Sequence, residues 1–251
     1  MQNIQQYNSS DSDENENPEP DRYETSLPSS KDLLLFEKPA VQQTVSNATN
    51  HQGRIRTFPH ERGIWASYVF IDYNEVDAFK DLQQLLIDHV SKDLNLELNT
   101  VDNLHMSLTK TFVLRHHNIP AFVENVRSEL QSIKHFRILL SDLAIYSNEE
   151  HTRTFLAVKV HTNSYGPINK LVDNLDNCMR LYKLPEFYKD RSFHVSILWT
   201  LGDQRKQLTD GLESLQKTFA NFYEEEYCHM NLNVRQIHCK CGNKYYHFDL
   251  L

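Results

Sequence analysis

Two short segments of the sequence each place a histidine two positions before a serine. The segments read His105-Met106-Ser107-Leu108-Thr109 and His194-Val195-Ser196-Ile197-Leu198, and their histidines stand 89 positions apart. Alternate residues of a β-strand face the same side of a sheet. We therefore expect His105, Ser107 and Thr109 to share one face of a first strand. His194 and Ser196 share a face of a second strand in the same way.

Two histidines and two serines that face a common groove can break a phosphodiester. An imidazole has an ordinary pKa near ~6.5, so at neutral pH one ring can accept a proton while the other donates one. One histidine would take the proton of the attacking hydroxyl and the other would protonate the leaving oxygen, each transfer contributing roughly 10²–10⁴-fold. Nearby hydroxyls can donate hydrogen bonds to the phosphate oxygens. These steps need no metal ion or other cofactor, and the spacing leaves open which histidine is the base.

Similar elements surround the two segments. Apolar periodicity predicts strands at 65–72, 104–114, 136–146, 153–160, 193–201, 231–239 and 244–250, and helices at 76–94, 119–133, 165–182 and 207–222. The order β-α-β-α-β thus occurs twice with offsets of 88 or 89 positions, which indicates an internal duplication. We predict an α+β fold of two lobes, about 65–146 and 153–250. Antiparallel-type sheets would face a central groove, with the helices on the outside.

Charge and composition separate a tail from a domain. Residues 1–52 are polar and acidic and predict a disordered tail, whereas 53–251 has the composition of a folded domain. The domain is close to neutral, which argues against broad binding of duplex nucleic acid but permits binding of one strand end. The sequence contains no run of 18 apolar residues, so we predict no membrane span. Four cysteines in a chain of 251 residues indicate a reducing compartment rather than a disulfide framework.

The cysteines do not predict a metal site either. Cys239 and Cys241 lie beside His238, and Cys228 lies upstream, so zinc ligands are available in principle. However, no second pair of cysteines or histidines follows at zinc-finger spacing. A strand over this segment places Cys239 and Cys241 on one face, where small core residues are the simpler interpretation.

Three further segments, together with the two His-x-Ser segments, make this chain similar to a known family. They read GRIRTFPHERG at 53–63 followed by Ile64-Trp65-Ala66, FYKDRSFHVS at 187–196, and CKCGNK at 239–244. The paired His-x-Ser segments resemble the 2H phosphoesterase superfamily. Together with the three segments, over about 53–250, they resemble the U6 small nuclear RNA phosphodiesterase family.

The resemblance implies a function and a set of site residues. Members of that family trim the 3′ uridine tail of U6 RNA as metal-independent 3′→5′ exonucleases, leaving a 2′,3′-cyclic phosphate that some relatives open. It implies that His105 and His194 are the catalytic pair and that Ser107 and Ser196 hold the phosphate, with Thr109 as a third hydroxyl. Tyr188 matches a tyrosine that stacks on a nucleobase.

The same resemblance implies a nuclear role in RNA processing for mRNA splicing. We expect a single-stranded RNA 3′ end as partner, no membrane and no metal. Because both halves of the site come from one chain, we expect a monomer.

Three other functions stay open on the sequence alone. One is a 2H enzyme that acts on small 2′,3′-cyclic nucleotides, and another is a noncatalytic RNA-binding module. The third is a metal-dependent nuclease, which is disfavoured because no cluster of carboxylates accompanies the two His-x-Ser segments.

Overall fold

Residues 63–251 are described by a computed structural model and contain eleven strands and four α-helices. The predicted tail and the predicted boundary at residue 53 lie outside the described residues. The strands are β1 Ile64–Asp72, β2 Asn99–Thr100, β3 His105–Ser107, β4 Phe112–Arg115, β5 Phe136–Ile138, β6 Leu140–Ser147, β7 Arg153–Val160, β8 His194–Leu201, β9 Leu232–Val234, β10 Gln236–Cys241 and β11 Lys244–Asp249. The helices are α1 Ala78–Asp93, α2 Ile119–Leu130, α3 Tyr165–Leu181 and α4 Arg205–Met230.

Every predicted helix and strand is present, but three predicted strands are divided. The strand at 136–146 is divided into β5 and β6, and the strand at 231–239 into β9 and β10. The strand at 104–114 is divided into β3 and β4. Both pieces pair with β1. Between them, the backbone amide of Leu108 donates to the carbonyl of Val69 at 2.9 Å. The amide of Val69 donates in turn to Oγ1 of Thr109 at 3.0 Å. A side-chain oxygen thus replaces a backbone acceptor, and the regular ladder stops at Ser107.

Two antiparallel sheets form the frame of the described residues. The first has the order β11-β10-β1-β3, with β4 also on β1, and the second has the order β2-β8-β7-β6. Strands β5 and β9 form a separate pair. The predicted α+β class with antiparallel sheets is confirmed.

The duplication predicts two lobes that are contiguous stretches of the chain. The two sheets do not follow this division. Strands β10 and β11, near the carboxyl end, complete the sheet that begins with β1. Strand β6, which we assigned to the first lobe, pairs with β7 in the second sheet. The short connection at 148–152 explains this, because consecutive antiparallel strands with a short link form a hairpin.

The helices pack against both sheets and complete one apolar core. Helix α1 lies against α4 and β8, and α4 also lies against β6. Helix α2 lies against α3 and β11. Their apolar positions repeat every three or four residues, as in Phe79, Leu82 and Leu86 of α1, and these side chains are fully buried. Within residues 63–251, no helix has the length and apolar character that crossing a membrane requires.

The turn between β10 and β11 explains a glycine of the CKCGNK segment. Gly242 has φ of 59°, in the region that favours glycine. A Cβ added there would collide with the ring of Trp65 on β1. Glycine is therefore required for β10 and β11 to continue the first sheet at this position.

Candidate active site

His105 lies in β3 on the edge of the first sheet, opposite Asp72 of β1. Its Nδ1 is 2.7 Å from the carbonyl oxygen of Asn103. A carbonyl oxygen only accepts hydrogen bonds, so Nδ1 carries the hydrogen. In the neutral ring, Nε2 therefore holds the free lone pair.

His194 has the same local arrangement in the second sheet. It begins β8, opposite Lys159 of β7, and its Nδ1 is 2.8 Å from the carbonyl oxygen of Ser192. In both sheets the histidine thus donates from Nδ1 to the carbonyl two residues before it. Each ring is fixed in one tautomer and one orientation, with Nε2 left for chemistry.

The two imidazoles lie close enough to influence each other's charge. Strand β3 lies against β8, where the two sheets meet. Burial lowers the pKa of His105, partly offset by its bond to Asn103. Burial also lowers the pKa of His194, partly offset by its bond to Ser192, and a positive charge on His105 lowers it further. A pair of this kind favours states in which at least one ring is neutral and able to accept a proton.

The two predicted serines share the faces of their histidines. Ser107 lies two residues after His105 and opposite Phe70, and Ser196 lies two residues after His194 and opposite Ala157. Both are partly exposed. Among residues 63–251 neither hydroxyl has a hydrogen-bond partner, so both can donate to a phosphate bound beside the two histidines.

Thr109 does not share the face of His105 and Ser107. Its side chain is buried, with 2 % of its surface exposed, and Oγ1 is used by the backbone amide of Val69. The expectation failed because it assumed that the strand continues through residue 109, whereas the ladder ends at Ser107. The position of Thr109 is that of a structural acceptor inside the first sheet.

Tyr146 is part of the site, and sequence reasoning missed it. Its ring stacks on the imidazole of His194 with centroids 3.8 Å apart and planes inclined by 14°. Its hydroxyl shares a hydrogen bond of 2.7 Å with Oγ of Ser192, the residue whose carbonyl holds His194. Tyr146 thus supports the ring directly and through Ser192. The pairing of β6, β7 and β8 brings it there, and no local pattern indicates this pairing.

The rings around His105 are arranged differently. Tyr68 lies at a tilt with its centroid 5.4 Å from the imidazole, and Phe70 presents an edge at 5.5 Å. Asp72 favours the protonated form of His105, while Lys240 of β10 disfavours it. Charged groups of the first sheet therefore act on His105, and sequence reasoning singled out neither of them.

Tyr188 lies in the connection before β8 with its side chain accessible. It is 46 % exposed, and Nζ of Lys110 stands 4.3 Å from the centre of its ring. Its hydroxyl donates to Oε1 of Glu149 at 3.5 Å. Lys110 follows Thr109, so Tyr188 stands near the end of the first His-x-Ser segment. The exposed ring can accept a stacked base.

The cysteines near the carboxyl end belong to the core. Cys239 and Cys241 are completely buried on one face of β10, with their sulfur atoms 3.7 Å apart. Among residues 63–251 no three histidine, cysteine, aspartate or glutamate side chains are grouped so that they could hold a metal ion.

Known proteins resemble this chain over most of its length. The family model described as "HVSL: Uncharacterised conserved protein" matches residues 26–249. U6 snRNA phosphodiesterase 1 of Xenopus laevis is 35% identical over 248 residues, 98% of each chain. The Homo sapiens protein of the same name is 37% identical over 205 residues, 81% of this chain and 76% of its own.

A solved structure shows the same fold. The structure of Kluyveromyces marxianus Usb1 with uridine monophosphate covers 75% of this chain and 99% of its own. The TM-score is 0.52 at 16% sequence identity, so this likeness concerns the fold alone.

Proposed function

The chain belongs to the HVSL family, the family of its U6 snRNA phosphodiesterase 1 relatives, and on that premise we propose that it is a metal-independent 3′→5′ RNA exonuclease. The observation that carries the proposal is the pair of histidines whose Nδ1 atoms are held by backbone carbonyls. Because the hydrogen on each Nδ1 is held by the backbone, Nε2 of one neutral ring can accept a proton. Nε2 of the other ring, when that ring is protonated, can donate one.

The proposed reaction is an internal transesterification. The 2′-oxygen of the second-last nucleotide forms a bond to the adjacent phosphorus, and the bond from phosphorus to the 5′-oxygen of the last nucleoside breaks. Nε2 of one histidine takes the 2′-hydroxyl proton, and the other histidine gives its Nε2 proton to the departing 5′-oxygen. The RNA is left with a 2′,3′-cyclic phosphate, which water can open in a second step.

The serines act on the phosphate during this reaction. Negative charge on the nonbridging oxygens is greatest when phosphorus is bonded to both the attacking and the leaving oxygen. The hydroxyls of Ser107 and Ser196, which have no other partner among the described residues, donate hydrogen bonds to these oxygens. Donors already in place stabilise that charge without reorganisation. Tyr188 stacks on a base of the RNA end.

The substrate we propose is the 3′ uridine tail of U6 small nuclear RNA. The names of the relatives support it, and so does the Usb1 structure that contains uridine monophosphate. We place the enzyme in the nucleus, in RNA processing for mRNA splicing, and expect a monomer.

The test is a time course on a 5′-labelled RNA that ends in several uridines, with EDTA present. We expect stepwise shortening from the 3′ end by the unchanged protein and by the control His229→Ala, whose imidazole is 73% exposed on α4. His105→Ala and His194→Ala should each abolish it. An RNA with a 2′-deoxy sugar at the second-last position should also resist the first cut.

Other results would favour the remaining functions. No shortening, with turnover of a nucleoside 2′,3′-cyclic phosphate, would identify an esterase for small nucleotides. Binding of RNA without turnover would identify a noncatalytic module, and loss of activity in EDTA would identify a metal-dependent nuclease. Shortening of the 2′-deoxy RNA would exclude the transesterification.

A further inference from the structure

The face of the first sheet that carries His105 continues across the sheet towards β11. In the register of the sheet, Tyr68 of β1 lies opposite Lys240 of β10, and Lys240 lies opposite Tyr245 of β11. Residues directly opposite each other in antiparallel strands share a face. We call Tyr68, Lys240 and Tyr245 the aromatic row.

Contacts between side chains confirm that the row starts at the active site. The ring of Tyr68 lies 5.4 Å from His105, and Nζ of Lys240 lies 4.9 Å from the ring centre of Tyr245. Lys240 is also close enough for its charge to act on His105. The row therefore leads away from the catalytic imidazole.

The row lies on the open face of the sheet. The residues next to the row along its strands, such as Val69 beside Tyr68 and Cys239 beside Lys240, point to the other face and are completely buried in the core. Tyr245, in contrast, is 61% exposed. A large aromatic side chain on this face contributes little to the core, and its ring is accessible to a ligand.

Two aromatic rings with a lysine between them match the chemistry of single-stranded nucleic acid. Bases stack on aromatic rings with about 1–3 kcal/mol each, with little dependence on sequence, and a lysine pairs with the phosphates between them. Neighbouring strands are about 4.8 Å apart. The span from β3 to β11 therefore accommodates a few nucleotides.

The position of the row indicates which part of the RNA it would bind. Tyr188 and Lys110 stand beside the end of β3, at the edge of the sheet opposite β11. Glu149 and Glu150 act on Tyr188 there, and their negative charges disfavour a long polyanion. A 3′→5′ exonuclease releases one nucleoside at a time, so the leaving side needs one base site, whereas the retained strand continues.

We propose that the aromatic row binds the retained strand, namely the nucleotides that precede the one carrying the attacking 2′-hydroxyl. This inference rests on the proposed function, and it adds a binding surface for the body of the RNA. It also gives Lys240 and Tyr245, which follow from the register of β10 and β11, a role in holding the substrate.

The test compares a short and a longer substrate. For the dinucleotide UpU and for a hexauridylate, kcat and KM are measured with the unchanged protein and with Tyr245→Ala. UpU has no nucleotide that reaches the row. We expect the ratio of the hexauridylate KM to the UpU KM to rise on the order of 5- to 150-fold, the factor that corresponds to one stacked base. Tyr245→Phe retains the ring and should keep the original ratio.

Lys240→Gln provides a second measurement. We expect the slope of log KM for the hexauridylate against log salt to fall by roughly 0.7, the value for one lost phosphate contact on a single strand. Tyr227→Ala and Lys217→Gln on α4 are the matched controls, since Tyr227 is 42% exposed and Lys217 is a surface cation, and both lie outside the first sheet.

The outcomes separate this inference from the proposed function. If the unchanged protein cleaves neither RNA, the proposed function fails. If it cleaves both and Tyr245→Ala alters both KM values equally, or neither, the aromatic row does not bind the retained strand. A change limited to the hexauridylate supports the inference.

Discussion

The active site has two half-sites, one around His105 in the first sheet and one around His194 in the second. Both hold their histidines in the same way, but different side chains surround the two rings. His105 and His194 each donate from Nδ1 to the carbonyl two residues earlier. Tyr146 covers the face of His194 at 3.8 Å, nearly parallel. Within the described part of the chain, the rings near His105 are tilted or edge-on at 5.4 and 5.5 Å, and Asp72 and Lys240 act on its charge. A repeated backbone pattern thus fixes the same tautomer twice, while unequal surroundings allow two different proton-transfer roles.

The largest effect should come from the histidines and should show which one is the acid. His105→Gln and His194→Gln should each lower kcat on RNA by roughly 10²–10⁴-fold. A uridine 3′-(4-nitrophenyl phosphate) has a leaving group that needs no protonation. On this substrate, the variant that lacks the acid should recover most of its rate, and the variant that lacks the base should not. Recovery of both variants, or of neither, would contradict divided roles.

Removing the hydroxyl of either serine should have the next largest effect on activity. A hydrogen bond to a charged group contributes about 1.5–3 kcal/mol, so Ser107→Ala and Ser196→Ala should each lower kcat/KM by roughly 10- to 150-fold. Ser128→Ala, at an exposed position on α2, is the control for loss of a hydroxyl. Steady-state kinetics on UpU measure the effect without the retained strand. Unchanged rates in both serine variants would show that the phosphate lies elsewhere.

The pH dependence tests the shared burial of the two rings. The reaction needs one neutral and one protonated imidazole, so kcat/KM is greatest between the two apparent pKa values of the pair. Burial lowers the pKa of both histidines, which places the optimum on the acidic side of the ordinary value of ~6.5. Above the optimum the acid loses its proton, and kcat/KM should approach a tenfold fall per pH unit.

A single charge variant distinguishes the half-sites in the same profile. Lys240 carries a positive charge that disfavours protonation of His105. Lys240→Gln should therefore move the profile towards higher pH, while the control Lys217→Gln leaves it in place. An optimum above pH 7 in the unchanged protein would contradict the lowered pKa values.

Loss of the stacking between Tyr146 and His194 should have a smaller effect on kcat. An aromatic pair contributes about 0.5–1.5 kcal/mol, so Tyr146→Leu should lower kcat by roughly 2- to 12-fold, with less effect on KM. Water then reaches His194, and its pKa should rise towards the ordinary value while that of His105 should not rise, as seen by NMR titration. Tyr146→Phe retains the stacking and tests the bond to Ser192. Equal shifts of both histidines would indicate a general disturbance of the groove.

The smallest effect on activity should come from Thr109. Thr109→Val leaves the buried amide of Val69 without an acceptor, which should lower the free energy of unfolding by about 1–3 kcal/mol. Denaturant unfolding measures this change, and Thr109→Ser should retain most of the stability. Below the unfolding transition, kcat should stay near that of the unchanged protein. A loss of activity like that of Ser107→Ala, without a loss of stability, would make Thr109 a phosphate ligand.

The sequence by itself determined where most helices and strands lie and which histidines and serines share a face. Alternation along a strand depends only on neighbouring residues, so it placed Ser107 with His105 and Ser196 with His194. The helices followed from apolar periodicity in the same way. The motifs around 53–63, 187–196 and 239–244 indicated the family to which the chain belongs.

Only the tertiary structure decided which strands pair and in which register. The exchange of β6, β10 and β11 between the halves, the place of Tyr146 on His194 and that of Lys240 near His105 all depend on such pairing. Thr109 left the predicted face because its hydroxyl is bonded to Val69, forty residues away. Contacts between distant residues form through the competition of many possible pairings, and the local pattern of one sequence contains no record of which pairing is most stable.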